Sequence, residues 1–443
     1  MATAPETEIR SENDERKKRP FVRRVRIRGY KSIAFCDVSL EPLTILVGRN
    51  ASGKSNFLDA LAFLRDALDN GLNSALQMHG GASIFSQGTD ANRLSFEVEC
   101  DFPSFQMECC AVYLVEVELT ARKLLEVHRE ELRLEDRTHG KGCGFRVDRG
   151  GVVWHGLDSF GEGRYRRVSS EEDATEGVGA SYPALFDAYR PDRLLLGVLG
   201  SQPFIDLADG IRSIGCYNFH PDSIREPQSR IGSPTLERDG RNLPRALESL
   251  KEVEEDDLSR VKLYLAAVVP EIEGFDVVQQ WNRETILFRL HPQSGTTTLT
   301  FPASSMSDGT LRVLAALVAA FQIVLPYGYP ALVAIEEPET SLHPAAMRAL
   351  VDALDEATLR TQILLTTHSA ELLDNPTIQP ENVRVVEMID GQTIIAPVDE
   401  ASVEIVRRKL DTLGGLERQN QLELDIDDRE RQQSLSQSQP EAS

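Results

Sequence analysis

Gly48-Arg49-Asn50-Ala51-Ser52-Gly53-Lys54-Ser55 decides how this chain folds. The apolar run Leu43-Thr44-Ile45-Leu46-Val47 precedes it, and Phe57, Leu58, Leu61 and Leu64 follow at helical spacing. Strand, glycine loop and helix in that order form the setting in which G-x-x-x-x-G-K-[ST] cradles phosphate. The glycines let the backbone turn its N–H groups inward. The helix start adds unpaired N–H groups and a positive dipole end. Lys54 is then placed to reach β- and γ-phosphates, and Ser55 to offer its hydroxyl to Mg²⁺.

Three later stretches carry groups suited to the same ligand. Ile335-Glu336-Glu337-Pro338-Glu339 ends a continuous apolar run over 331–335, the pattern of a strand buried on both faces of a parallel sheet. Ligands of open α/β sheets bind beyond the carboxyl ends of strands. There one carboxylate can hold Mg²⁺, and the next can orient or deprotonate a water. Thr366-Thr367-His368-Ser369 ends a second buried strand expected over 361–366, where His368 can bond a γ-phosphate or position a water. Ser307-Asp308-Gly309-Thr310 opens a helix with Leu314, Leu317, Val318, Phe321, Val324 and Leu325 on one face. Ser and Asp cap helices and Gly admits close approach. Residues 307–310 therefore form either a helix cap or a second anion site.

The 443 residues correspond to about three domain-sized units. An apolar fraction of 41% with 27% charged residues is that of a globular protein. A formal charge of −22 repels nucleic acid as a whole, so DNA binding would require a local basic face. The six cysteines show neither C-x-x-C pairs nor ligand spacing with histidine, which suits reduced thiols in a cytoplasmic protein. Residues 1–15 are too polar for a signal peptide, and the most apolar stretch, 313–325, is interrupted by Gln322, so no membrane span is expected.

Between these landmarks, strands are expected over 21–29 and 34–40, and a loop over the Gly-, Ser- and Asn-rich 71–92. Strand-like runs at 94–102, 107–119, 124–134, 144–147 and 151–155 make a β-rich stretch of hairpins without heptads. Residues 162–179 are expected as a loop. Helices are expected at 204–214, 242–250, 263–269 and 344–359, with 252–257 as a solvated acidic helix end. Strands are expected at 215–219, 275–280, 285–290 and 297–301. The tail from 416, rich in Gln, Glu, Asp and Ser, is expected to be frayed.

Taken in order, these residues resemble the ABC-type ATPase heads. Walker A falls at 48–55, the signature at 307–310, Walker B at 335–337, a D-loop-like Ser341-Leu342-His343-Pro344 follows, and His368 stands as the switch histidine. Asp308 replaces the first glycine of the Ser-Gly-Gly core, and Glu336-Glu337 stands where transporters carry Asp-Glu. Both departures resemble the RecF, SMC and OLD-nuclease branch of AAA-family ATPases. Arg28-Gly29-Tyr30-Lys31-Ser32-Ile33 is similar to that branch's N-terminal strand, whose basic residue and serine reach the nucleotide. The stretch around Asp239-Gly240-Arg241-Asn242-Leu243 also looks like this branch. Gln87 is the nearest candidate for a Q-loop.

The resemblance implies an α/β fold: a P-loop NTPase of the ABC-ATPase head type, with a mixed-sheet core, an antiparallel β subdomain and a β-rich and helical insertion. It divides the chain into a disordered basic arm (1–20, with Arg16-Lys17-Lys18-Arg19), an N-terminal ATPase lobe (21–90), a β-rich insertion (91–200), a helical and strand segment (201–300), a C-terminal ATPase lobe (301–400), and a C-terminal helix with polar tail (401–443). ATP and Mg²⁺ are the implied cofactors. Nucleotide contacts would come from Lys31, Ser32, Arg49, Asn50, Ala51, Ser52, Gly53, Lys54, Ser55 and Asn56, and from Ser307, Asp308, Gly309 and Thr310. Ser55 and Glu336 would hold the metal, with Glu337 and His368 catalytic.

In such heads the signature lies across a dimer interface, so a homodimer would sandwich ATP, with higher oligomers open. SMC proteins carry long coiled coils that this chain lacks. About 75 residues follow His368, too few for the Toprim module of OLD nucleases. The expectation is a stand-alone, cytoplasmic ATPase that controls a separate effector, a nuclease or toxin, in bacterial antiviral defence. The alternative is a RecF-like DNA-binding repair factor, which the arginines of the first strand favour and the acidic balance opposes.

Overall fold

Alternating apolar residues near the start of the chain produce a hairpin, β1 (Val22–Tyr30) and β2 (Ile33–Ser39), which buries Val25 and Ile27. The protein is seen here as a computed structural model that describes residues 21–86, 92–104, 107–148, 151–155, 166–168, 190–291, 298–324 and 326–437. β3 (Leu43–Val47) is buried at every position and feeds the helix Lys54–Asn70 through the glycine loop. β4 (Arg93–Ser104), β5 (Met107–Leu119), β6 (Leu125–Asp136), β7 (Lys141–Asp148), β8 (Gly151–His155) and β9 (Arg166–Val168) extend the hairpin into an antiparallel sheet ordered β2-β1-β4-β5-β6-β7-β8-β9. Its register sets Val25 opposite Val98 and Ile27 opposite Phe96. This sheet runs straight through the boundary expected at 90/91.

The remaining strands are β10 (Gly215–Tyr217), β11 (Gln228–Ser229), β12 (Ile272–Gln280), β13 (Arg283–Leu290), β14 (Leu299–Pro302), β15 (Leu332–Glu336), β16 (Gln362–Thr367), β17 (Val383–Ile389) and β18 (Gln392–Pro397). A second sheet is ordered β10-β15-β16-β3-β17-β18. Its first five strands are parallel and β18 is antiparallel to β17. Burial on both faces explains why β3, β15 and β16 have nearly continuous apolar sequences. Parallel alignment brings the carboxyl ends of β3, β15 and β16 to one edge, where the glycine loop, Glu336-Glu337 and His368 follow. β11, β13 and β12, with β14 on β13, form a third, small sheet.

Four expectations require correction. Residues 71–92 are not simply loop: Leu72–Met78 is a helix that buries Leu72, Ala75 and Leu76, and Asn73 Oδ1 accepts from Leu125 N at 2.8 Å. The acidic run 252–257 is not all solvated. A helix ends at Val253, the next begins at Glu255, and Asp257 is fully buried against Arg360, 2.6 Å away, and Tyr329. The tail is helical at Leu413–Arg418 and Ile426–Gln437. The latter helix is held by Gln432, fully buried and donating to Ile395 O at 2.8 Å, and by Arg28 donating to Leu435 O at 2.9 Å. Finally, three of the four arginines of β1 are paired with acids and do not stand as a free basic face. Arg23 pairs with Glu99 and Asp101, Arg24 with Asp37, and Arg26 with Asp37, Glu97 and Glu99. The arm 1–20, Gln87 and all of the expected loop at 162–179 except 166–168, which form strand β9 instead, lie outside the described residues.

Candidate nucleotide site

The glycine loop depends on two left-handed residues, Ala51 (φ 65°) and Gly53 (φ 103°). A Cβ on Gly53 would sit 1.9 Å from Thr393 Oγ1, and one on Gly48 would sit 2.1 Å from Val386 O. Both glycines are thus dictated by β17 and β18 packing over the loop. Lys54 is buried, and its ammonium donates to Gly48 O at 2.6 Å and Arg49 O at 3.0 Å, so the loop wraps around it. Burial pulls the Lys54 pKa down, opposed by the carboxylates of Glu337, Glu417, Glu339 and Glu336.

The residues fit an anionic ligand with a hard cation. The helix Lys54–Asn70 has no side-chain cap and no acid in its first turn, so its positive end is uncompensated. Ser52 Oγ is buried with no hydrogen-bond partner among the described residues. Ser55 Oγ donates to Glu336 Oε2 at 2.5 Å, which sets a hydroxyl and a carboxylate side by side, the donor types Mg²⁺ takes.

At the end of β15 the backbone turns sharply. Glu337 adopts φ 43° and is held there as its N–H donates to Thr366 O at 3.0 Å and Thr366 Oγ1 at 3.2 Å. Such strain persists where surrounding structure over-determines it, commonly at functional sites. The turn sets Glu337 Oε1 3.4 Å from His368 Nδ1, at the end of β16. Glu339 points inward instead: it is buried, bonds Thr367 Oγ1, and burial raises its pKa.

Ser307 caps the helix Asp308–Phe321 by accepting from Thr310 N at 3.2 Å. Asp308 pairs with Arg225. A Cβ on Gly309 would lie 2.5 Å from Ser341 O, so the first turn of this helix rests on the D-loop-like segment. Residues 307–310 therefore contact Arg225 and the 341–342 turn of their own chain. Lys31, in a left-handed conformation at φ 50°, pairs with Asp59. Ser32 accepts from Asn56 Nδ2 at 2.6 Å and lies 2.7 Å from Thr393 Oγ1, which ties the β1–β2 turn to the first turn of the P-loop helix.

Sequence reasoning missed two groups at this edge. Gly414 packs against Ala370 O, where a Cβ would lie at 2.1 Å, and this seats the helix Leu413–Arg418 on Ala370–Leu373. Glu417 of that helix feels the charges of Lys54 and His368, while burial raises its pKa. Asp59 accepts from Tyr30 OH at 2.6 Å and from His79 at 2.9 Å, and His79 reaches Asp66 at 2.9 Å. The signal in the sequence was weak: an acid among apolar residues of the P-loop helix, and a histidine in a Gly-, Ser- and Asn-rich stretch.

A glycine loop closing the parallel strand β3, with a histidine ending the adjacent β16 and paired acids ending β15 beyond it, defines an AAA-type P-loop NTPase domain. The chain belongs to the AAA_21 family, described as "AAA domain, putative AbiEii toxin, Type IV TA system", whose model matches residues 43–374. No curated protein matches it in sequence. Among solved structures it is similar to an SMC head bound to the C-winged helix domain of ScpA, at 15% identity and a TM-score of 0.48, covering 86% of this chain and 99% of that one. It is also similar to the SMC head domain from Thermotoga maritima (13%, TM-score 0.39, 86% and 99%). A third is the Smc head of Pyrococcus furiosus with an extended coiled coil, bound to the C-terminal domain of ScpA (13%, TM-score 0.46, 88% and 100%). Among the described residues no helix is long and apolar enough to cross a membrane.

Proposed function

We propose that this chain binds ATP with Mg²⁺ at the glycine loop, hydrolyses it, and dimerises around it as a switch. The observation that supports this best is the meeting, at one sheet edge, of Lys54, the Ser55–Glu336 pair and the Glu337–His368 pair. Lys54 and the loop N–H groups bind the phosphates, and Ser55 and Glu336 hold the metal. When bound, the metal neutralises charge on the β- and γ-phosphate oxygens. Glu337 accepts a proton from the attacking water, a role worth roughly 10²–10⁴ in rate, and His368 orients that water. Residues 307–310 of a second copy, with Ser307 and the helix N-terminus foremost, close the site from the other side.

In this reading the dimer controls a separate effector, a nuclease or toxin, in antiviral defence. The family description's mention of a Type IV TA system supports a two-component setting. The pairing of Arg23, Arg24 and Arg26 with acids favours this reading over duplex binding as the primary role. Glu337→Gln tests the switch. Turnover should fall by roughly 10² or more, and an ATP-bound dimer should accumulate on sizing with ATP and Mg²⁺. A variant that elutes identically with and without nucleotide would rule out the sandwich.

A further inference from the structure

Arg238 is unusual in having a fixed backbone and a half-exposed side chain poised between two acids. Its carbonyl accepts from Asn218 N at 2.8 Å, and the next carbonyl, of Asp239, accepts from His220 N at 3.0 Å. Gly240 follows in a left-handed turn (φ 79°), where a Cβ would press on Ile224 and Phe219 at 3.1–3.2 Å. Asn242 closes the turn by accepting from Glu237 N at 2.7 Å. The guanidinium projects from this fixed turn and lies 3.5 Å from Asp59 Oδ1 and 3.8 Å from Glu336 Oε1.

The two acids differ. Asp59 is buried on the P-loop helix and already engaged by Tyr30, Lys31 and His79. His79 bonds an aspartate through each ring nitrogen, Asp59 at one and Asp66 at the other, and Arg65 pairs with Asp66 at 2.7 Å. This end of the bridge is held by several side chains at once. Glu336 is the opposite case: Oε2 accepts from Ser55, and Oε1 is the oxygen facing Arg238. Its second oxygen is therefore balanced by a mobile cation rather than by a fixed donor.

We infer that Arg238 is a positioning residue that acts as a displaceable counter-ion to Glu336, competing with the divalent cation and withdrawing to Asp59 when that cation is held. The inference rests on the proposed metal role of Ser55 and Glu336. The physical basis is charge: a divalent ion on Glu336 repels a guanidinium within a few ångströms, and the ready ion pair with Asp59 gives the arginine a resting place. The arginine thereby links metal occupancy to the Asp59 cluster, and through Tyr30 and Lys31 to the β1–β2 turn.

The test is a Mg²⁺ titration of nucleotide binding, read by the fluorescence of a labelled, non-hydrolysable ATP analogue on the full chain at low salt. In Arg238→Gln the Mg²⁺ concentration for half-maximal binding should fall roughly two- to fivefold, the range for a partly exposed charge pair. Affinity at saturating Mg²⁺ should be unchanged, Arg238→Lys should behave close to wild type, and 0.5 M salt should shrink the difference. An unchanged half-saturation point in Arg238→Gln would overturn the inference. So would a loss of affinity at saturating Mg²⁺, which would make Arg238 a phosphate ligand. Failure of the wild-type chain to bind the analogue at any Mg²⁺ concentration would overturn the nucleotide reading itself and this inference with it.

Discussion

Ser55 Oγ and Glu336 Oε2 stand 2.5 Å apart, so one hydroxyl joins the first turn of the P-loop helix to the end of β15. The two residues are 281 positions apart in the chain, and only the parallel order β15-β16-β3 brings them together.

Lys54→Ala removes the buried cation around which the loop closes and leaves Glu336, Glu337, Glu339 and Glu417 without their shared counter-charge. ATP turnover should fall by roughly 10² or more, the scale for loss of one preorganised charge-stabilising group. Steady-state phosphate release, with nucleotide binding measured in parallel, checks this. Retained turnover would remove the loop from the chemistry.

Gly53→Ala combines a left-handed backbone with a Cβ 1.9 Å from Thr393 Oγ1. Wrong-handed backbone and overpacking together should cost about 2–4 kcal/mol. Adding Thr393→Ala should recover only the packing share. Urea unfolding of both variants would show whether the two effects separate in this way.

Glu417→Gln should tighten nucleotide binding two- to fivefold, on the order expected for one partly screened charge. The carboxylate lies in the field of Lys54 and would repel phosphates bound there. Equilibrium binding of a non-hydrolysable analogue decides the sign, and weaker binding would reverse the role assigned to Glu417.

The sequence made this edge legible because each part is a local pattern. Apolar runs mark β3, β15 and β16, and the groups that end them sit within a few residues of the strand. What escaped has no local pattern. Helix Ile426–Gln437 is nearly all polar, and its anchors are the glutamine side chain reaching Ile395 O and the carbonyl of Leu435 that Arg28 reaches. Asp257 is hidden in an acidic run yet pairs with Arg360, 103 residues away. Asp59 and Arg238 are 179 residues apart, and no periodicity connects them.

Glu130 provides a pH test of the β-rich sheet. It is fully buried, accepts from Tyr113 OH and from the N–H groups of Leu195 and Leu196, and burial pushes its pKa up to about 7. A folded-state pKa above the unfolded value means the favourable contribution is complete below about pH 4.5 and is lost as pH rises through 7. The loss is about 3 kcal/mol. In Glu130→Gln this part of the pH slope should vanish, while a constant cost appears because the amide sets a donor against one of the N–H groups. Unfolding free energies at pH 5 and pH 8 for both proteins settle the comparison.

Asp257→Ala leaves the Arg360 guanidinium and Tyr329 hydroxyl without the buried carboxylate that both donate to. Breaking one side of such a pair costs about 3–5 kcal/mol. Thermal melts should show a large loss for Asp257→Ala and a smaller one for Asp257→Asn, which keeps an acceptor.

The close seating of Gly309 beneath Ser341 has a mechanical outcome. With no side chain between them to compress, the helix tip and the 341–342 turn are obliged to travel together. A displacement of the 341–342 turn would thereby carry the tip of helix Asp308–Phe321 with it. Even one methyl group at residue 309 would act as a spacer and uncouple the two.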